Sequence, residues 1–327
     1  MSPKRILVTG ASGCIGHYLA EVLIQQTSHE LFFLVRNLAK VQFDFKARPG
    51  ITLIEADLRE IGQFQELLST VHCAILAATL WGGRKETFEI NVDKTLQLIR
   101  LLNPDVCQQV IYFSTESVLD RNNHLLPEAG SLGTDYVQSK YACLEQITQL
   151  KTQIPITTVF PTLVFGGDQH KPYSHLSAGL PEVLRWVNLI RCFKAEGSFH
   201  FIHAQDIAQV VCYLVDHSDS ERSEWLVLGN SALTVNQCVE QLCAYLGKRI
   251  YLRINLTPWL ADLIIKLFKI QMADWDRFCL TYRHFTHQAP VSPASFGLPS
   301  YCATFADVLR VSGVPSLAAQ KKISQAP

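Results

Sequence analysis

The stretch that most constrains the fold is RILVTGASGCIG at residues 5–16, where a short apolar run ends in three glycines spaced three apart. RILVT is typical of a buried strand, and the residues after Gly16 follow a helical pattern. Glycine permits a positive φ in a tight turn and close approach of the backbone to a ligand. Because the helix that follows offers free N–H groups to phosphate, this G-x-x-G-x-x-G turn predicts a dinucleotide-binding βα unit.

Apolar runs alternate with longer helical patterns through the first half of the chain. The predicted strands are residues 5–9, 31–35, 51–56, 74–79, 110–115 and 156–160. The predicted helices between them are residues 17–26, 60–69, 85–102 and 136–151. Continuous apolar strands separated by helices are typical of a parallel sheet that is buried on both faces. The pattern therefore predicts an α/β fold with a Rossmann-type doubly wound parallel sheet.

The regular alternation fades after Pro161, which indicates a second structural unit. We expect a Rossmann domain over residues 1–165 with parts of 200–230. A smaller C-terminal substrate-binding lobe is expected over most of 166–320. The polar tail at 321–327 is predicted to be frayed.

Composition favours a compact, enzyme-like globule over a disordered or nucleic-acid-binding chain. Hydrophobic residues make up 48% of the chain and charged residues 18%, with 29 basic and 29 acidic side chains. This balance gives no field that would attract nucleic acid. The ten cysteines form no CxxC pair and the histidines lack ligand spacing, so we expect no metal site and a reducing, cytoplasmic compartment. Cys14 is the candidate for thiol reactivity, although a structural role is favoured.

One segment, PWLADLIIKLFKI at 258–270, has the most membrane-like composition. Asp262, Lys266 and Lys269 interrupt it, and it is too short to span a bilayer. Two interpretations remain open: peripheral contact with a membrane surface, or packing as a helix on the core. Core packing is favoured. The start of the chain has no apolar run long enough for a secretion signal.

The end of the second predicted strand carries Arg36, a planar cation suited to the 2′-phosphate of NADP. An acidic residue there would instead bind the ribose 2′-hydroxyl of NAD. Arg36 therefore favours NADP, and the alternative is an ordinary solvated arginine. Asp57, after the third strand, is placed either to contact the adenine edge or to cap the next helix.

Tyr136 and Lys140 lie four residues apart in DYVQSKYACLE and therefore share one face of a helix. One interpretation is ordinary packing at a helix surface. The other is chemical, because a nearby cation stabilises a phenolate and lowers the pKa of the tyrosine. The spacing alone does not decide between them.

The motifs together resemble those of the extended short-chain dehydrogenase/reductases, in the epimerase/dehydratase branch, over residues 4–215. TGASGCIG resembles the nucleotide-binding turn of that family, ILAA (75–78) its fourth strand, and YFSTESV (112–118) its Ser/Thr segment. NVDKT (91–95) resembles its Asn-Val-x-Gly-Thr helix, with Lys94 in place of glycine. YVQSK resembles its Tyr-x-x-x-Lys pair, and FPTLVFG and FIHAQDIA resemble two later landmarks.

The resemblance implies a role for each matched residue. Tyr136 would be the general acid/base, and Thr115 would be its hydroxyl partner, with Ser114 as the alternative. Lys140 would bind the nicotinamide ribose and lower the pKa of Tyr136, and Asn91 would support the site through water. The implied cofactor-binding residues are Gly10, Ser12, Gly13, Cys14, Ile15, Gly16, Arg36, Asp57, Leu58, Ala77, Ala78, Tyr136, Lys140 and Pro161.

The chain departs from the sugar-nucleotide members of that family. Phe160 replaces an arginine, the residues after Phe165 lack the usual proline, and Phe199 stands where a cation usually clamps a substrate pyrophosphate. Losing such a clamp weakens sugar-nucleotide binding, whereas an aromatic residue suits an apolar substrate. Candidates for the pocket wall, each with core packing as the alternative, are Trp81, Trp186 and Trp259. Candidates for a displaced phosphate contact are Arg185, Arg191 and Lys194.

These departures favour an NADP(H)-dependent oxidoreductase that interconverts an alcohol and a ketone on a largely apolar small molecule, similar to the hydroxysteroid and dihydroflavonol branches. One alternative is a sugar-nucleotide epimerase or dehydratase with tightly bound NAD(P). A second is a non-catalytic cofactor-binding scaffold or assembly factor. A homodimer is expected, because many relatives pair through the helices that hold the tyrosine.

Overall fold

A computed structural model describes residues 2–217, 223–267 and 271–317 of the chain. The strands are β1 (Arg5–Thr9), β2 (Glu30–Val35), β3 (Ile51–Glu55), β4 (Cys73–Leu76), β5 (Gln109–Phe113), β6 (Ile156–Pro161), β7 (Leu163–Phe165), β8 (Phe193–Lys194), β9 (Ser198–Phe199), β10 (Phe201–His203), β11 (Glu224–Leu228), β12 (Leu233–Thr234), β13 (Ile254–Asn255) and β14 (His284–Phe285).

The helices are α1 (Cys14–Gln26), α2 (Gln65–Leu68), α3 (Arg84–Phe88), α4 (Thr95–Leu101), α5 (Pro127–Ser131), α6 (Asp135–Thr148), α7 (His175–Arg185), α8 (Val187–Ile190), α9 (Ala204–Asp216), α10 (Val235–Leu246), α11 (Pro258–Leu267), α12 (Asp274–Tyr282) and α13 (Phe305–Val311). A π-helical segment, Glu89–Lys94, joins α3 to α4. Short 3₁₀ segments are Leu38–Lys40, Leu58–Phe64, Glu116–Val118 and Pro293–Phe296.

Seven strands form one parallel sheet in the order β11-β6-β5-β4-β1-β2-β3. Strands β4, β5 and β6 are buried along their whole length, as expected for strands covered on both faces. Helices α1 and α9 pack together over one face, and the α3–α4 region and α6 cover the other. The predicted Rossmann-type α/β fold is confirmed. Because the order reverses between β1 and β4, a crevice opens at the carboxyl ends of these strands.

Two predicted elements have different bounds for local reasons. Strand β4 ends at Leu76 rather than at 79, because the Ala78 N–H donates to Thr9 Oγ1 (3.2 Å) and leaves the sheet. The predicted helix at 60–69 is mostly a 3₁₀ segment. It begins in a capping box, in which the Asp57 side chain accepts from the Arg59 N–H (2.9 Å) and Glu60 bonds back to the Asp57 N–H (3.2 Å).

Residues after β6 build three small sheets beside the main one. Their strand orders are β10-β7, β12-β9-β14 and β13-β8. A separate apolar cluster holds this region together, with Phe165, Phe201 and Phe305 edge to face at its centre. The carboxylate of Asp206 fastens the C-terminal segment to α9 by accepting from the backbone N–H groups of Tyr301 and Cys302.

Segment 258–270 forms helix α11 up to Leu267, and the side chains of this helix that the structure describes are exposed or half-buried. The core packing favoured for this segment therefore stays a prediction. Residues 268–270 and the tail 321–327 lie outside the described residues. In the described ranges, every helix is too short or too polar to cross a bilayer.

Candidate active site

The glycine turn brings the end of β1 against the loop after β4. Gly10 has a φ of +79°, and a Cβ there would lie 2.6 Å from the backbone of Ala77 and Ala78. A Cβ on Gly16 would collide with the carbonyl oxygen of Gly10 and the backbone of Ala11. Side chains are therefore excluded at both positions by neighbouring backbone, which explains the glycines at 10 and 16.

The first turn of α1 is free to bind an anion. Its N-cap is Gly13, no side chain caps the helix, and no acidic residue lies in the first turn. The first N–H groups of a helix have no partner within the helix and carry partial positive charge. These features fit the pyrophosphate of a dinucleotide.

Two cavities of about 490 and 590 Å³ lie on either side of this turn and share Gly10, Gly13, Ala77 and Thr79 as lining residues. The smaller one, the adenine-side cavity, is also lined by predicted cofactor-binding residues, namely Ser12, Arg36, Asp57, Leu58 and Ala78. Asp57 thus both caps a helix and faces the cavity. Lys40, which the sequence analysis did not select, adds a second cation beside Arg36.

The larger cavity, the catalytic cavity, collects the remaining predicted residues: Cys14, Ile15, Gly16, Thr115, Tyr136, Lys140 and Pro161. The structure thus brings every residue of the predicted site to one of two adjoining cavities. The parallel strands account for this arrangement, because their carboxyl ends deliver the turn after β1, the loop after β4 and the segment after β5 to one edge.

Burial dominates the electrostatics of the tyrosine–lysine pair. Burial raises the pKa of Tyr136 to about 12, and a hydrogen bond with Thr115 lowers it only in part. Burial lowers the pKa of Lys140 to about 8, and its Nζ donates to the carbonyl oxygen of Phe113 (2.7 Å). Burial is the largest influence on both groups, and the expected lowering of the Tyr136 pKa by Lys140 stays a prediction.

The structure separates Thr115 from the alternative, Ser114. The Thr115 hydroxyl forms the hydrogen bond with Tyr136 that lowers the pKa of the tyrosine. The Ser114 hydroxyl also borders the catalytic cavity, and within the described residues its oxygen is buried without a hydrogen-bond partner. A buried hydroxyl without a partner is costly, which fits a group that bonds to a bound molecule.

Trp81 covers the ring of Tyr136. The two rings are stacked, with centroids 3.8 Å apart and planes at 11°, and His175 packs on Trp81 at 4.8 Å. Trp275, which sequence reasoning missed, also lines the cavity. Three other predicted wall residues, Trp186, Trp259 and Phe199, do not line it. Phe199 pairs in the small β12-β9-β14 sheet instead, and Trp186 and Trp259 lie at the surface.

A buried Glu116–His287 pair adjoins the catalytic threonine candidate. Glu116 lines the cavity, and its Oε2 lies 2.9 Å from Nε2 of His287. The other ring nitrogen, Nδ1, donates to the carbonyl oxygen of Asp120 (3.1 Å), so one proton is shared between Nε2 and the carboxylate. The two residues are 171 positions apart, and no sequence spacing signals the contact.

Asn91 holds together two segments that border the site. Its side chain bonds to both backbone groups of Leu80 (2.8 and 3.0 Å) and to Ser139 of α6 (2.9 Å). It therefore ties the Trp81 loop to the helix of Tyr136. Cys14 is not activated, since burial raises the pKa of its thiol to about 12. Within the described residues, no group of three or more His, Cys, Asp or Glu side chains is arranged to hold a metal.

Comparisons with known proteins agree with this geometry. A sequence model of the NAD dependent epimerase/dehydratase family matches residues 6–229. Festuclavine synthase II from Penicillium roqueforti is 33% identical over 79 residues, which is 24% of this chain and only 28% of that protein.

Solved structures share the fold at low identity. UDP-glucose 4-epimerase from Stenotrophomonas maltophila, solved with NAD and formylated UDP-arabinopyranose, has a TM-score of 0.67 at 18% identity over 99% of this chain and 100% of that one. The terminal R domain of the myxalamid PKS-NRPS pathway has a TM-score of 0.66 at 17% identity over 100% of this chain and 93% of that one.

Proposed function

Because the chain belongs to the NAD dependent epimerase/dehydratase family and is an NAD(P)-dependent enzyme, we propose that it is an NADP(H)-dependent oxidoreductase that interconverts an alcohol and a ketone on a largely apolar small molecule. The observation that carries this proposal is the wall of the catalytic cavity. Aromatic and aliphatic side chains dominate it, including Trp81, Leu176 and Trp275, and among the residues that the structure describes no arginine lines it. A nucleoside diphosphate would have no bidentate clamp on this wall.

The cations near the wall of the catalytic cavity already bind other groups of the protein. Lys140 donates to the Phe113 carbonyl oxygen, and Lys171 pairs with Glu21 (3.2 Å) and Asp168 (3.4 Å). None of the three candidates for a displaced phosphate contact lines the cavity; these are Arg185, Arg191 and Lys194. These contacts support an uncharged substrate.

The proposed chemistry uses three side chains around the reacting carbon. A nicotinamide bound in the crevice would supply or accept the hydride. The Tyr136 hydroxyl would give or take the proton of the substrate oxygen, and the Thr115 hydroxyl would orient that oxygen by a hydrogen bond. Lys140, at the back of the cavity, would bind the nicotinamide ribose. Trp81 would hold the phenol ring by stacking, which limits its orientation.

The preference for NADP rests on two cations, Arg36 and Lys40, at the end of the adenine-side cavity. We expect Arg36→Ala to weaken NADPH binding about 10- to 100-fold, since a charge-assisted hydrogen bond contributes about 1.5–3 kcal/mol. NADH lacks the 2′-phosphate, so its affinity should change less than about threefold. Titration of both cofactors by fluorescence measures this difference. Arg100→Ala, at another exposed arginine, is the control, and equal losses for both cofactors would refute the 2′-phosphate role.

A substrate assay separates this function from the sugar-nucleotide alternative, which structural neighbours with bound UDP-sugars favour. NADPH oxidation would be followed with a panel of aliphatic and aromatic ketones, and UDP-sugar conversion would be followed without added cofactor. We expect net NADPH consumption with at least one apolar ketone, abolished by Tyr136→Phe. Conversion of UDP-sugars with no net cofactor change would instead identify an epimerase or dehydratase.

Three further predictions remain proposals. We propose a division into a Rossmann domain over 1–165 with parts of 200–230 and a substrate-binding lobe over most of 166–320. Strand β11 and helix α9 pack with the main sheet, which supports assigning them to the first domain. A homodimer that pairs through the helices near Tyr136 and a cytoplasmic location are the other two.

A further inference from the structure

Helix α11 presents an exposed apolar stripe. Trp259, Leu263 and Leu267 are spaced four apart, so they follow one another along the same side of the helix. Their exposed fractions are 71%, 45% and 72%. A helix on a globular domain normally turns such a stripe toward the core. In α11 the stripe instead stays exposed, so it is available to a binding partner.

The segment just before α11 extends this exposure. Tyr251, Leu252 and Ile254 are 82%, 76% and 52% exposed, and β13 holds the end of this segment against β8. We call these six side chains, Tyr251, Leu252, Ile254, Trp259, Leu263 and Leu267, the α11 surface. Large exposed apolar side chains gathered in one region mark an interaction site. None of them lines either cavity, so the surface is separate from the candidate active site.

Cations without acidic partners accompany the α11 surface. Lys194 lies on β8, Arg249 precedes Tyr251, and Lys266 lies on α11 itself; each is exposed. Within the described ranges, no carboxylate lies within 4.0 Å of these three side chains. Nearby arginines do have acidic partners, as in the pairs Arg185–Glu182, Arg253–Glu240 and Arg283–Glu196. Asp262 on α11 offsets one of these charges, and the three cations outnumber it. The surface thus combines apolar side chains with a net positive charge.

We propose that the α11 surface docks on an anionic membrane, with Trp259, Leu263 and Leu267 in the boundary between headgroups and acyl chains. An interfacial helix needs an apolar face and flanking cations, and tryptophan favours this depth. Lys266 would keep its ammonium group among the phosphates while its alkyl chain stays apolar. A second copy of this chain fits less well, because a two-fold contact would bring together two surfaces that both carry net positive charge.

Sedimentation with vesicles tests the proposal on the full-length protein. We expect wild type to pellet with phosphatidylcholine vesicles that contain phosphatidylglycerol and to stay in solution with pure phosphatidylcholine. Raising the salt from about 0.1 to 0.5 M should weaken binding about tenfold. Trp259→Glu combined with Leu263→Glu should weaken it at least about tenfold. Leu132→Glu, at an exposed leucine on the Rossmann side, is the matched control and should bind as wild type does.

The double variant changes exposed residues, so its thermal unfolding and cofactor binding should match those of wild type. Equal pelleting of wild type and double variant would overturn the proposal, as would failure of wild type to bind anionic vesicles. Loss of a dimer in the double variant, measured by ultracentrifugation without lipid, would identify the surface as a contact between copies and would also overturn it.

Discussion

Tyr136→Phe is expected to lower turnover about 10³-fold or more while cofactor affinity stays within about twofold of wild type. General acid–base catalysis by one positioned side chain contributes about 10²–10⁴-fold, and the phenol is the group in the catalytic cavity that meets Thr115. Phenylalanine keeps the ring that stacks on Trp81 at 3.8 Å, so the local packing should persist. Initial rates and cofactor titration of the same preparation measure the two quantities.

Tyr141→Phe is the matched control, because it removes a hydroxyl from the same helix outside the catalytic cavity. It should leave turnover unchanged. If Tyr136→Phe retained full turnover, the proposed acid/base role would be wrong. If it kept the biological role of the protein without turnover in either form, the scaffold alternative would be favoured.

Lys140→Met is expected to remove activity and yet stabilise the protein without cofactor at pH 7. Lys140 is 2% exposed, and the drop of its pKa from 10.5 to about 8 corresponds to a burial cost of about 3 kcal/mol. Methionine has a similar length and no charge. Loss of the hydrogen bond to Phe113 would cost about 1 kcal/mol, which leaves a net gain of about 2 kcal/mol in the free energy of unfolding.

This gain should depend on pH in a defined direction. Below pH 8 the lysine is charged in both the folded and unfolded states, so wild type bears the full cost. Between the folded pKa of about 8 and the unfolded value of 10.5, only the unfolded state holds the extra proton, so wild type becomes more stable as pH rises. The advantage of Lys140→Met should therefore shrink toward pH 10. Urea unfolding at both pH values measures it.

Lys151→Met provides the comparison, since Lys151 is exposed and its replacement removes a charge without relieving burial. It should change stability by less than about 0.5 kcal/mol at either pH. If Lys140→Met were less stable than wild type at pH 7, the lysine would contribute through packing or hydrogen bonds that outweigh its burial cost. Such a result would contradict the prediction that burying the charge of Lys140 lowers the stability of the protein.

The positions of the site residues could be predicted because their signals are local. At Gly10 and Gly16 the neighbouring backbone leaves no room for a side chain, so glycine marks these positions in the sequence. Tyr136 and Lys140 are one turn apart and therefore share a helix face. Parallel strands then deliver separate motifs to one edge of the sheet, which is why residues chosen from seven parts of the chain line two adjoining cavities. The predicted ends of elements were less accurate. Strand β4, for example, ends early because the Ala78 N–H bonds to the side chain of Thr9 on another strand.

By itself the sequence determined the order of strands and helices, the dinucleotide turn and the residues that face the crevice, since each follows from short-range backbone geometry and periodicity. Tertiary structure decided the rest. It placed Trp81 on Tyr136, paired Glu116 with His287, and left Trp259 exposed. It also set the pKa of Tyr136 and Lys140, because desolvation depends on everything that packs around a group and not on its neighbours in the chain.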